Sequence, residues 1–169
     1  MGQSDIKGIF FENPAKEFHI REIARLLRIS KTAVSYHVKG MIRQGIVIVK
    51  KDVFKGFMAN ETSNMYRFNK MIYALEKIHD SGLIDFLETR TTPKAIVLFG
   101  SFAKAEFDKS SDIDLFIQAP KQAVSLDKFE KALKHKISLL FEPEPKKMSP
   151  ELLNNIINGI KLSGYLKIK

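Results

Sequence analysis

Two aspartates, Asp112 and Asp114, stand two residues apart in the run Asp112-Ile-Asp-Leu-Phe-Ile-Gln118. On a strand, both carboxylates would leave the same face. Such a pair can hold Mg2+, a cation that keeps coordination sites for water and nucleotide phosphates. Upstream lies Lys94-Ala-Ile-Val-Leu-Phe-Gly-Ser101, an apolar run that ends on Gly100 and Ser101. Glycine has no side chain, so its backbone can approach a phosphate closely. Ser101 adds a hydroxyl and opens a short helix, whose free amides and dipole favour an anion. Ten residues separate Ser101 from Asp112. A cation held there would align a triphosphate for in-line attack at its α-phosphorus. Asp-x-Asp alone is common at solvated strand ends. The full constellation between two apolar runs is far more specific.

The stretch from Ile96 to Ile117 resembles the signature of the DNA polymerase β superfamily, and most of all the minimal nucleotidyltransferases of archaea and bacteria. The resemblance covers roughly residues 94–165. It implies an α/β nucleotidyltransferase fold with a small mixed sheet. It implies Gly100 and Ser101 as nucleotide-binding residues, Asp112 and Asp114 as catalytic metal ligands, and Mg2+ with a nucleoside triphosphate (NTP) as ligands. It also implies a third carboxylate on the following strand, as general base or as part of a second metal site. In Lys136-Ile-Ser-Leu-Leu-Phe141 that position is Ser138. Serine brings no negative charge to a metal and is no base near neutral pH. Glu142 shares the strand face of Ser138 but lies four residues on, about 13 Å away at the usual rise. Glu106 and Asp108 lie on the intervening loop. Ala105 stands where the family usually has glycine.

The elements that must position these residues alternate strand and helix after Thr91-Thr92-Pro93, the clearest boundary signal in the chain. Strands are expected at Lys94–Phe99, Asp112–Gln118 and Lys136–Phe141. A helix is expected over Ser125–Lys134. Glu142-Pro-Glu-Pro145 reads as a turn, and Ser149-Pro150 opens a last helix with a cap followed by proline. Before the boundary, Asn69–Glu88 reads as helical, with Ile72, Leu75 and Ile78 on one face and a break at Ser81-Gly82.

The first 68 residues read as three helices and a ribbon. Ser4 is expected to cap a helix that Asn13-Pro14 stops. His19–Arg28 is the second helix. Ser30 caps a third over Lys31–Gln44, with Val34, Val38, Met41 and Ile42 buried. A β-branched strand follows at Ile46–Lys51, Lys55-Gly56 looks like a turn, and a second strand lies between Phe57 and Phe68. This stretch resembles the winged helix-turn-helix of prokaryotic transcription regulators, on Ala24, Ile29-Ser30, Val34-Ser35, Lys39 and Gly45-Ile46. A recognition helix docks its first residues against base edges. Here Lys31, Thr32, Ser35 and Tyr36 can hydrogen-bond, Lys39 and Arg43 would face phosphates, and Lys50, Lys51 and Lys55 sit on the wing. Phosphate contacts position; base contacts specify. The histidines His19, His37, His79 and His135 show no metal-ligand spacing and are given no catalytic role.

The formal net charge is +9, and residues 1–68 carry 12 Lys/Arg against 6 Asp/Glu, which suits a polyanion partner. Cysteine is absent, which excludes disulfides and thiolate zinc sites and fits a reducing, cytoplasmic setting. No apolar run approaches the ~18 residues of a membrane span. The expected organisation is a winged helix at 1–68, linking helices at 69–92 and a nucleotidyltransferase-like domain at 93–169. The expected function is a DNA-binding transcriptional regulator whose second domain is weakened or inactive because of Ser138. The alternative is an active Mg-dependent nucleotidyltransferase that passes a nucleoside monophosphate to a protein or small-molecule hydroxyl, as antitoxin-like relatives do to a partner toxin. Double-stranded DNA is the expected partner, and a homodimer would suit a palindromic site.

Overall fold

The computed structural model describes residues 3–51 and 55–168; the side chains of Gln3, Ser4 and Lys51 lie outside the described residues. Two compact units divide the chain, Met1–Tyr73 and Ala74–Lys169, with the division inside a helix.

The first unit holds α1 (Gln3–Glu12), α2 (Ile20–Leu27), α3 (Lys31–Arg43), β1 (Val47–Lys51), β2 (Lys55–Ala59) and the first part of α4 (Asn64–Asp80). Helix α1 begins at Gln3, so Ser4 lies within it rather than capping it. Helix α2 ends on Arg28 in the left-handed region at φ 54°. The Ser30 hydroxyl accepts the Ala33 amide and caps α3, which buries Val34, Val38 and Met41. Ile42 is only half-buried, whereas Ile46 and Val47, at the entry to the wing, are fully enclosed. Strands β1 and β2 pair antiparallel with Lys50 opposite Gly56 and Lys51 opposite Lys55. Lys55-Gly56 is therefore strand rather than turn, and the connection falls on residues 52–54, outside the described residues. Phe18, just before α2, exchanges two backbone bonds of 2.9 Å with Phe57 and adds a short third rung. Nothing in the period-two pattern announces a single bridged residue.

Helix α4 starts at Asn64, earlier than expected. In the first unit its buried residues are Tyr66 and Lys70, four apart, whereas Ile72 is 40% exposed. Of the expected face, Ile78 is buried and Leu75 half-buried as expected, and only Ile72 points to solvent. Phe11 meets the Tyr66 ring edge-on at 5.4 Å, and the Lys70 ammonium lies 5.5 Å from its centroid. A large ring and a long aliphatic stem thus take inward positions near the start of the helix.

In the second unit, α5 (Leu83–Thr91) precedes β3 (Ala95–Phe99), α6 (Gly100–Ala103), β4 (Ile113–Ile117), α7 (Asp127–Leu133), β5 (Ile137–Phe141), α8 (Pro150–Ile157) and β6 (Ile160–Gly164). The sheet order is β5-β4-β3-β6, with β4 and β5 parallel and the other pairs antiparallel. The small mixed sheet is as expected, but β6 is an addition. Its first neighbours explain why it fits. A Cβ on Gly159 would strike the Leu98 carbonyl oxygen, and one on Gly164 the Lys94 carbonyl oxygen. Two glycines let β6 close on β3. On one face Val97, Phe116 and Ile156 form a dry core under α8, with Phe99, Leu140, Leu152 and Leu166 against it. Ser149 caps α8 by accepting the Leu152 amide, with Pro150 at its first position.

Candidate functional site

Strand β4 lies between β3 and β5, and its register decides which groups meet at its first end. Phe99 pairs with Asp114 across β3/β4, and Asp114 pairs with Ser138 across β4/β5. Asp112 and Asp114 flank Ile113, so they share a face with Phe116. Asp112 is exposed, Asp114 half-buried and Ser138 exposed. Gly100 follows Phe99 at φ +70°, and a Cβ built on it would overlap the Asp114 carboxylate. The glycine is thus required twice, by its backbone conformation and by the acid beside it. Ser101, half-buried, stands next in α6. The four residues singled out from sequence therefore lie at one end of the sheet, Gly100 and Ser101 at the start of α6 and Asp112 and Asp114 at the entry to β4.

The electrostatics of the pair are unfavourable when it stands alone. Burial, and secondly the charge of Asp112, push the Asp114 carboxyl above the usual carboxylate range. A divalent cation would relieve both effects. The donor set fits a single Mg2+, which binds through one or two carboxylates and completes its shell with water and substrate phosphates. When bound, such an ion supplies charge stabilisation at the reacting phosphate. A second ion finds fewer ligands: no group of three or more His, Asp or Glu suited to a metal occurs among the described residues. Glu142 lies beyond the last β5 residue, with its amide on the Ile117 carbonyl, at the far end of the strand from Ser138. Asp108 is held by its own loop. Its Oδ1 accepts the Ser110 hydroxyl at 2.6 Å and the Ser110 amide at 2.8 Å, bonds that hold its carboxyl below the usual range. Glu106 is exposed on the same loop. Ala105 adopts φ 56°, the left-handed conformation for which glycine is suited, so the departure from the family pattern falls on a strained residue.

Beside Asp112 an open groove of about 410 Å³ is lined by Lys109, Ser111, Lys131, Lys134 and His135 among others. His135 is buried, and its Nδ1 lies 2.8 Å from the Ser111 carbonyl oxygen. Sequence reasoning set this histidine aside because it sought metal-ligand spacing. The available signal was a polar ring among the apolar positions at the entry to β5.

On the first unit, Lys31, Thr32, Tyr36, Lys39, Arg43 and Lys50 are exposed and Ser35 is half-buried. Tyr36 leaves 70% of its surface in water. His37 is half-buried with its ring 5.4 Å from that of Tyr36. Lys55 is exposed on β2 and its carbonyl meets Nδ1 of His19, which ties the wing to the start of α2.

Comparison with known families agrees with both geometries. Residues 81–162 match the model for polymerase beta nucleotidyltransferases, and residues 12–53 match the model for the MarR family. The chain carries a MarR-type winged-helix domain followed by a polymerase β-type nucleotidyltransferase domain. No curated protein and no solved structure matches it. The winged-helix match spans α2, α3 and β1, and the nucleotidyltransferase match ends within β6. Among the described residues no helix is long and apolar enough to cross a membrane.

The raised Asp114 carboxyl makes stability of the nucleotidyltransferase domain pH-dependent. Its contribution is greatest below the unfolded value of about 3.9 and is lost as pH rises through the higher folded value. Without Mg2+, Asp114→Asn is therefore expected to raise the unfolding temperature at pH 7. The gain should shrink to nothing near pH 3.5. Calorimetry at the two pH values checks this, and a variant destabilised equally at both would contradict it.

Proposed function

We propose that the chain is a DNA-binding transcriptional regulator whose second domain takes up a magnesium–nucleoside triphosphate but transfers its nucleotide weakly or not at all. The observation that carries this reading is Ser138 in register beside Asp114. A hydroxyl acceptor approaching there would find no carboxylate to take its proton. Gly100, Ser101, Asp112 and Asp114 still offer the triphosphate an anion-accepting turn and a cation-holding pair. Bound nucleotide then acts as a signal for the winged helix rather than as a substrate, and a chromosomal target places the protein in the cytoplasm.

The DNA face follows from exposed donors on α3. Lys31, Thr32, Ser35 and Tyr36 read bases, while Lys39, Arg43 and Lys50 take phosphates; Lys51 would join them, but its side chain is outside the described residues. Counterion release makes such binding salt-dependent. In gel shifts with random-sequence duplexes, Lys39→Ala and Arg43→Ala should each flatten the slope of log affinity against log salt by about one. Lys31→Glu with Lys39→Glu should abolish the shift. Unchanged binding by that double variant would place the DNA contact elsewhere.

Ser138→Asp is the decisive variant for the second domain. With labelled ATP, Mg2+ and a cell extract to supply acceptors, it should raise transfer about 100-fold or more over the parent, the scale on which a positioned base acts. Rapid transfer by the unaltered protein would instead favour the active, antitoxin-like enzyme acting on a protein or small hydroxyl. Failure of both forms to bind Mg-ATP by calorimetry would remove the nucleotide site.

A second copy of the chain is the partner that α4 favours. Met65, Phe68 and Ile72 are 49%, 62% and 40% exposed and recur at intervals of three and four, a continuous stripe on one side of the helix. Two-fold pairing of such stripes buries them and matches the symmetry of a palindromic DNA site. Sedimentation should give a dimer, and Phe68→Glu a monomer. A monomeric parent at micromolar concentration would exclude the pairing.

A further inference from the structure

The two halves of the nucleotide site reach the sheet end from different directions. The Gly100-Ser101 turn leaves β3, and the Asp112–Asp114 segment enters β4 after a ten-residue spacer. Backbone pairing fixes Asp114, which lies inside β4. It does not by itself fix Ser111 and Asp112, which precede the strand. One buried side chain touches both halves. His135 is 5% exposed. Its ring meets Phe102, two residues after Gly100, edge-on at 5.0 Å and 86°. Phe102 stacks in turn on Phe107 of the spacer at 4.1 Å and 9°, and His135 stands perpendicular to Phe107 as well, at 6.4 Å. Its Nδ1 lies 2.8 Å from the carbonyl oxygen of Ser111, the residue before Asp112. A carbonyl oxygen only accepts, so Nδ1 carries the hydrogen and donates it.

We infer that His135 is a positioning residue, a clamp that sets the Asp112 turn against the Gly100-Ser101 turn. The inference rests on the reading of those turns as one nucleotide site, and it goes beyond that reading by assigning a residue that touches neither metal nor nucleotide. Histidine combines the two properties used here in one small ring. Its ring stands perpendicular to two phenylalanine rings as a phenylalanine could, and its N–H holds a carbonyl as an asparagine would. The neighbouring connections reinforce the same turn. The Ser111 amide donates to the Asp108 carbonyl at 3.1 Å, and the Ile113 amide to the Lys136 carbonyl at 2.8 Å. His135 thus acts where the chain passes from a self-bonded loop into a paired strand.

Two variants separate the clamp from simple packing. His135→Phe keeps the ring and removes the donor; His135→Asn keeps a donor near the Nδ1 position and removes the ring. Amide hydrogen exchange of the full-length protein, without ligand, reads the result. In His135→Phe the Ser111 and Ile113 amides should exchange about tenfold faster, the equivalent of one neutral hydrogen bond. The amides of Ile96–Leu98 in β3 should stay at parental rates, and His135→Asn should restore most of the protection. Unchanged exchange at Ser111 and Ile113, an increase spread equally over β3, or an asparagine variant no better than phenylalanine would overturn the clamp. Mg-ATP titration of the same proteins should show a matching loss of affinity in His135→Phe. A parent that does not bind Mg-ATP would remove the nucleotide reading, while the exchange pattern would still decide the clamp.

Discussion

A carboxylate can lie against the backbone of residue 100 only because that residue is glycine. The contact between Gly100 and Asp114 joins the end of β3 to the start of β4, and much of the second unit serves to hold those two strands in that register. Phe99 faces Asp114, Val97 faces Phe116, and Ile156 closes the cluster from α8. On the other side of β3, Gly159 and Gly164 allow β6 to approach without side-chain obstruction. Moving the register by one residue would turn Asp114 into the opposite layer and bring an apolar side chain to Gly100. The polar site is thus a consequence of an apolar sheet whose strands can pair in only one way.

The same arrangement explains the electrostatic condition of the site. Asp114 is drawn partly out of water by the sheet that positions it, and it faces a second carboxylate two residues away. The winged-helix domain treats charge in the opposite way. Its cations on α3 project into solvent, where they cost little to hold, while Lys70, the one buried lysine among its described residues, lies over an aromatic face. Solvated charge is available for phosphates at once. Partly buried charge waits for a counterion, which is the property a metal-dependent site requires.

Sequence reading recovered these features unevenly, for physical reasons. The Gly-Ser and Asp-x-Asp turns were legible because each residue type is forced by backbone geometry or by charge, and local spacing carries both. The Ser30 cap and the Gly45 exit were legible for the same reason. Features made by distant partners were not. The inward face of α4 depends on Phe11 meeting Tyr66, and hydropathy pointed to Ile72 instead. Strand β6 and the Phe18–Phe57 rung depend on partners at least 62 and 39 residues away respectively, as Ile160 lies from Leu98 and Phe57 from Phe18 in the chain. His135 was missed because its value lies in three contacts at once, to Phe102, Phe107 and Ser111, none of them near in sequence.

Ser138 marks where stability and chemistry part company. A carboxylate on β5 beside Asp114 would bring a third negative charge to a strand neighbour about 4.8 Å away. Asp114 already holds its proton more tightly than an ordinary aspartate, so a third acid would deepen that penalty in the metal-free protein. Serine at this position removes the repulsion and would leave a bound cation two acidic ligands instead of three. The exchange favours a domain that is steady without its ligand and binds a cation less firmly. On the proposed reading, that balance suits a domain whose occupancy follows the supply of nucleotide, whereas a committed transferase would tolerate the third acid because its metal is seldom absent.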